Sequence, residues 1–183
     1  SLATLMRHSD SAMYAAKRTR NVYAFYNSEI EKASRDHLEL HLDLRRAIDN
    51  DQLVLHYQPK IELNSRRVTG VEALVRWQHP EQGLIYPDDF ISVAEKNGLI
   101  KPLTLKVLEM ALRQCELWYQ AKMNLSVAVN ISAVNLQDPV FPESVAGILK
   151  KFSAPPSCVE LEITESAIMA DPLRAIENIT KLN

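Results

Sequence analysis

The run "VTGVEALVRWQHP", residues 68–80, sets an acid and a base, Glu72 and Arg76, inside a stretch that otherwise reads as a buried strand. Successive side chains of a strand point to opposite faces. One face is therefore Val71, Ala73, Val75 and Trp77, and the other is Glu72, Leu74 and Arg76. The same division of "LSVAVNIS" puts Val127, Val129 and Ile131 opposite Ala128, Asn130 and Ser132. In "CVELEIT", Val159, Leu161 and Ile163 oppose Glu160, Glu162 and Thr164, and in "LVLHYQPKI" His56, Gln58 and Lys60 alternate with Leu55, Tyr57 and Pro59. Each of the four strands has one apolar and one polar face.

An antiparallel sheet wetted on one side gives the same alternation. Helices between the later strands point instead to crossovers that cover the sheet, so that the polar faces converge on a barrel interior or a crevice. Carboxylates buried there without partners are costly and driven toward protonation. Glu72 and Glu162 then call for a cation, and the Asn130 amide oxygen completes an oxygen-rich set. Two carboxylates and an amide suit a hard divalent ion, Mg²⁺ or Mn²⁺, better than zinc. Arg76, on the same face as Glu72, has the planar fork that matches a phosphate. A metal beside a phosphate is the chemistry these residues imply.

The elements that must position them alternate from Leu53 onward, which argues for an α/β architecture with a largely parallel sheet. "LVLHYQPKI" and "RRVTGVEALVRW" read as two strands joined by the polar "ELNS". Pro87 and Asp88 open a helix that Gly98 closes, and an amphipathic helix follows from Pro102 to Ala121. Strand "LSVAVNIS", helix "PESVAGILKKF", strand "CVELEIT" and a helix after Asp171 and Pro172 complete the rhythm of a barrel or doubly wound sheet. Before Leu53, "SDSAMYAAKRTRNVYAFY" reads as a short helix and a strand, and polar "SEIEKASRDH" leads into the helix "LELHLDLRRAID" with its stripe of Leu40, Leu44, Ala47 and Ile48. A module boundary is expected near residue 30.

Composition narrows the partners. The 183 residues are 46% hydrophobic and 24% charged, ordinary for a globular protein, and the net charge of -2 gives no basic field for a long nucleic acid. Cys115 and Cys158 form no CxxC pair, which fits a reducing cytoplasm without a zinc knuckle or disulfide framework. No apolar run approaches the ~20 residues of a membrane span, so no membrane contact is expected of this portion. Four glycines exclude a P-loop or dinucleotide fingerprint. His37 and His41, four apart on a helix, lack the HExxH glutamate and read as a solvated face.

"VEALVRW" resembles the signature of the EAL family of cyclic di-GMP phosphodiesterases, and "YQPKIEL", "PDDFISVAEKNGLI", "VNIS" and "ELEITES" resemble that family's further blocks in order, over residues 38–183. "HSDSAMYAAKRTRNVYAFY" is similar to the closing helix and strand of a GGDEF diguanylate cyclase domain, with Thr19 where that family has glycine. The resemblance implies residues 1–30 as a GGDEF tail and linker, and 31–183 as the N-terminal portion of an EAL domain with a modified TIM-barrel fold. It implies hydrolysis of cyclic di-GMP to linear pGpG with Mg²⁺ or Mn²⁺. Matched by motif, Glu72, Asn130 and Glu162 are metal ligands, Glu165 steadies a loop near the metals, and Gln58, Leu74 and Arg76 meet the substrate.

The start without Met and the finish in a helical pattern at "NITKLN" read as cut ends. The family's paired aspartates, with the lysine, glutamate and glutamine that follow them, are not among these residues. The expectation is a truncated barrel with little or no turnover of its own, inclined to self-associate through exposed apolar surface. Two other functions stay open: a receptor that binds cyclic di-GMP without cleaving it, and a protein-interaction or dimerisation module.

Overall fold

The computed structural model describes residues 1–18, 23 and 25–182. They form two compact units, Ser1–Arg46 and Ala47–Asn183.

The first unit contains helix α1 (Leu2–Arg18) and most of α2 (Ser28–Asp49). The His8 ring stacks on Tyr26, with centroids 3.6 Å apart and planes 10° from parallel. The strand expected over "VYAFY" includes Val22 and Ala24, which lie outside the described residues. The polar "SEIEKASRDH" is helical and continuous with "LELHLDLRRAID". Its Glu, Lys, Ala and Arg are strong helix formers, so its polarity does not mark a break in the helix.

In the second unit come β1 (Leu53–Ile61), β2 (Val68–His79), β3 (Gly83–Ile85), α3 (Pro87–Lys96), α4 (Ile100–Gln120), β4 (Ser126–Ile131), α5 (Ala133–Leu136), α6 (Phe141–Leu149), β5 (Val159–Ile163), α7 (Glu165–Ala170) and α8 (Pro172–Leu182). The strands make one open sheet in the order β1-β2-β4-β5, with β3 also on β2, and no barrel closes among the described residues. This is a partial TIM-barrel-like α/β fold. β2, β4 and β5 are parallel, while β1 and β3 run antiparallel to β2. The sheet is thus more mixed than the alternation suggested. A parallel pair needs a crossover of about a dozen residues or more, and the Glu62–Arg67 turn, with Arg66 at φ 56° and Glu62 N–H donating to the Arg67 carbonyl at 3.0 Å, allows only a hairpin.

The apolar strand faces form the core. Val71, Ala73, Trp77, Val127, Val129 and Ile131 are buried, as are Leu103, Val107, Leu108, Ala111, Leu112 and Cys115 of α4. The buried stripe of α4 runs through Leu108 and Leu112. α3 begins with Pro87 and ends before Gly98 at φ 73°, a left-handed residue where glycine costs least. β2 and β4 pack closely at Gly70, where an added Cβ would lie 2.8 Å from the Ser126 carbonyl oxygen and collide with its hydroxyl.

Two short helices open directly at the carboxyl ends of parallel strands. Ser132 caps α5 by accepting from the Asn135 N–H, and Thr164 caps α7 by accepting from the Ala167 N–H. A small cluster of Leu136, Ala167 and Ala175 joins α5, α7 and α8. Buried Asn178 fastens it, donating its amide to the Leu136 carbonyl at 2.7 Å and the Asp138 carbonyl at 3.0 Å.

Candidate cation and phosphate site

The strand register brings the polar face together row by row. Gln58 pairs with Glu72, Glu72 with Ala128, and Ala128 with Glu160. The next row toward the carboxyl ends of the parallel strands pairs Asn130 with Glu162. Because Asn130 lies one row beyond Ala128, its side chain leans back over Glu72, and Asn130 Nδ2 donates to Glu72 Oε1 at 2.7 Å.

This face is wetter than its sequence pattern implied. Asn130 and Gln58 are exposed, and Glu72, Leu74, Arg76 and Glu162 are half-buried. The open sheet covers only its apolar side, so desolvation does not by itself force a counter-ion onto these carboxylates. What remains is Coulombic: two acids and an amide oxygen on adjacent strands.

Glu162 already has a cation. Lys60 Nζ donates to Glu162 Oε1 at 2.5 Å and to Glu160 Oε2 at 3.2 Å. The hydrogen bond to Glu162 lifts the Lys60 ammonium above the usual lysine range, against burial, with Glu160 adding to it. The Ser126 hydroxyl, and after it Lys60, hold the Glu160 carboxyl below the usual range although burial works the other way. Among the described residues no group of three or more His, Cys, Asp or Glu side chains is gathered for a metal. The donor set Glu72, Asn130 and Glu162 fits a hard ion by its oxygen chemistry, provided that Glu162 is released.

Arg76 is folded back on its own strand. Its Nη1 donates to the Val75 carbonyl at 2.8 Å, its guanidinium carbon sits 5.1 Å from the Tyr86 ring centre, and its buried Nε has no partner. Of the five N–H donors of the guanidinium, the Val75 carbonyl takes one, which leaves donors of the fork for an anion. Glu165 stands apart from these groups, exposed in the first turn of α7.

A cavity of about 440 Å³ opens beside the carboxyl ends of β2 and β4, walled by Leu74, Asn130, Ser132, Thr104 and Glu95 and otherwise mostly apolar. Thr104 and Ser132 both donate to the buried Asn135 amide oxygen, at 3.1 and 2.7 Å. The cavity reaches Leu74 and Asn130 but not Glu72 or Glu162.

The family model for the EAL domain matches residues 41–183. The chain belongs to the EAL domain family. It is 43% identical over 169 residues to the bifunctional diguanylate cyclase/cyclic di-GMP phosphodiesterase MucR of Pseudomonas aeruginosa, covering 91% of this chain and 25% of that protein. It is 41% identical over 180 residues to the cyclic di-GMP phosphodiesterase PdeR of Escherichia coli, covering 98% and 27%. The chain therefore spans about a quarter of the length of the curated relatives it matches. Among solved structures, a PaMucR phosphodiesterase in complex with c-di-GMP superposes with a TM-score of 0.74 at 41% identity, over 79% of this chain and 59% of that one. The FimX EAL domain of Xanthomonas citri, also in complex with c-di-GMP, shares the fold with a TM-score of 0.72 at 22% identity, over 82% and 59%.

Within this EAL domain, sequence reasoning left Lys60, Glu160 and Tyr86 without roles. Strand parity carried the signal for the first two, since Lys60 follows Gln58 on the polar face and Glu160 precedes Glu162. Tyr86 lies outside any motif and is brought to Arg76 by the β2–β3 hairpin. No helix among the described residues is long and apolar enough to cross a membrane.

Proposed function

We propose that this chain carries the cyclic di-GMP site of a phosphodiesterase, and that the whole protein hydrolyses one phosphodiester of the dinucleotide to linear pGpG in the presence of Mg²⁺ or Mn²⁺. The observation that carries this is the 2.7 Å contact between Asn130 and Glu72 on the strand face that also bears Glu162. The activities named for MucR and PdeR support it, as does the c-di-GMP complex of the PaMucR phosphodiesterase.

In this reading Glu72, Asn130 and Glu162 hold the ion. When bound, a divalent ion supplies positive charge to phosphoryl oxygens and lowers the pKa of a coordinated water. Arg76 turns from the Val75 carbonyl to a phosphate of the ligand and loses nothing it cannot remake. Gln58 and Leu74 line the approach to that phosphate, and Glu165 steadies the loop that opens α7. Three oxygen donors suffice for one ion but not for the pair that clamps attacking and leaving oxygens. The 183-residue chain by itself should bind and scarcely turn over.

Two outlying assignments belong to the same reading. Residues 1–30 are the tail and linker of a GGDEF domain, a reading in keeping with the diguanylate cyclase activity named for MucR, to which 169 residues of this chain align. The chain self-associates through the apolar side of α7 and α8, where Met169, Leu173 and Ile176 are 66%, 84% and 59% exposed. The setting is cytoplasmic.

Chromatographic detection of pGpG tests the function. A protein containing this chain in its full length should release pGpG with Mn²⁺ and stop on Glu72→Ala. Release that persists without Glu72 would refute the assignment, and binding without any release would favour the receptor instead.

A further inference from the structure

Lys60 makes a contact that a flat sheet would forbid. It lies on β1, while Glu160 and Glu162 lie on β5, three strands away in the order β1-β2-β4-β5. At ~4.8 Å between strands the separation exceeds what a lysine and a glutamate span together, so the sheet must coil to bring them within hydrogen-bond distance. The intervening floor is built of small residues. Lys60 is level with Gly70 and Gly70 with Ser126, and Ala128 separates Glu72 from Glu160 in the adjoining row. A side chain at Gly70 would collide with Ser126 before it could share that space.

The ammonium therefore bridges two carboxylates of one strand face, 2.5 Å from Glu162 and 3.2 Å from Glu160. One of these, Glu162, is assigned above to a divalent ion, while Glu160 has no role in that site. A carboxylate oxygen already bonded to an ammonium is a poor ligand, and an ammonium left beside a divalent ion repels it. The second carboxylate removes the conflict, because Lys60 needs only to settle fully on Glu160 to free Glu162.

We infer that Lys60 is the resident counter-cation of the ion-free site, that a divalent ion enters by displacing it from Glu162, and that Glu160 is where the displaced ammonium is held. Lys60 and Glu160 are thus positioning residues that set metal affinity. The inference rests on the assignment of Glu162 as a metal ligand. Since Lys60, Glu160 and Glu162 keep 34%, 51% and 39% of their side-chain surface, the effect is that of a partly screened pair.

Titration of the 183-residue chain with Mn²⁺, following free Mn²⁺ by electron paramagnetic resonance, reads this without any turnover. Lys60→Met, with Lys60→Gln as the alternative should the apolar residue unfold the sheet, should tighten Mn²⁺ by about tenfold. Glu160→Gln should weaken it by about fivefold. In the Lys60→Met background the Glu160→Gln effect should shrink below about twofold, since there is no longer an ammonium to hold. Unchanged or weaker binding in both Lys60 variants overturns the inference, as does an equal Glu160→Gln effect in both backgrounds, which would mean a general field and no hand-off. If Glu72→Gln abolishes Mn²⁺ binding while Lys60 variants leave it alone, the metal site stands and only this inference falls. If neither the wild type nor any variant binds Mn²⁺, both fall together.

Discussion

Asn130 and Glu72 stand on neighbouring parallel strands, one row out of step, and the asparagine amide donates to the glutamate carboxylate across 2.7 Å. The contact fixes which end of each group is left over. With Nδ2 and Oε1 engaged, the Asn130 carbonyl oxygen and the second Glu72 oxygen are the atoms offered to a cation.

Replacing the amide donor by an acid should show that geometry. Asn130→Asp sets a second carboxylate against Glu72 and removes the donor, so in ion-free solution it should destabilise the chain by about 1 kcal/mol, a modest cost because the site is exposed. Mn²⁺ should restore the loss. Urea melts with and without the ion check this, and a variant equally unstable in both conditions would separate Asn130 from any cation.

Arg76 carries the next expectation. Its guanidinium stacks 5.1 Å from the Tyr86 ring centre and keeps a buried Nε without a partner. Arg76→Lys retains the charge but not the planar fork, and should weaken cyclic di-GMP binding by about tenfold. Tyr86→Leu, which removes only the stacking surface, should weaken it by about threefold. Fluorescence titration with the labelled dinucleotide distinguishes the two.

Gly70 tests the sheet that positions both groups. A Cβ there meets the Ser126 carbonyl at 2.8 Å and the Ser126 hydroxyl more closely still. Backbone must move to accept it, so Gly70→Ala should cost about 2 kcal/mol of unfolding free energy in urea melts and loosen the β2–β4 pairing that places Glu72 beside Asn130.

Acid should act through Asp138. Its carboxylate pairs with Lys101 at 2.8 Å and accepts from the Val140 N–H at 3.1 Å, and these two contacts, the lysine first, hold it below the usual aspartate range. A carboxyl depressed in the folded state contributes stability above its unfolded value, near 3.9, and loses it as pH falls through the lower folded value. Asp138→Asn should therefore be less stable than wild type by about 1 kcal/mol at neutral pH, and the difference should shrink as pH falls below the unfolded value and vanish once the carboxyl is protonated in the folded state as well. Denaturant melts across that range give the answer; a gap that persists in acid would assign the effect to packing.

Much of the site could be read from alternation alone, because parity assigns Glu72, Asn130 and Glu162 to one face before any fold is known. The mixed sheet could be anticipated only by weighing the length of the "ELNS" turn against the crossover a parallel pair needs. Helices α5 and α7 are masked in the sequence because Ser132 and Thr164 also continue the strand pattern, although each is a good N-cap. Parity puts Lys60 on the polar face, yet its reach to Glu162 depends on sheet coiling, a three-dimensional property that no spacing along one strand encodes. The exposure of that face is illegible in the sequence for the same reason, since it follows from how far the sheet closes.

Calorimetric titration of the 183-residue chain with cyclic di-GMP, with and without Mn²⁺, tests the central claim most directly. Binding that requires Mn²⁺ and disappears in Glu72→Ala is the expected result. Binding indifferent to both the ion and Glu72, or no binding under either condition, would contradict it.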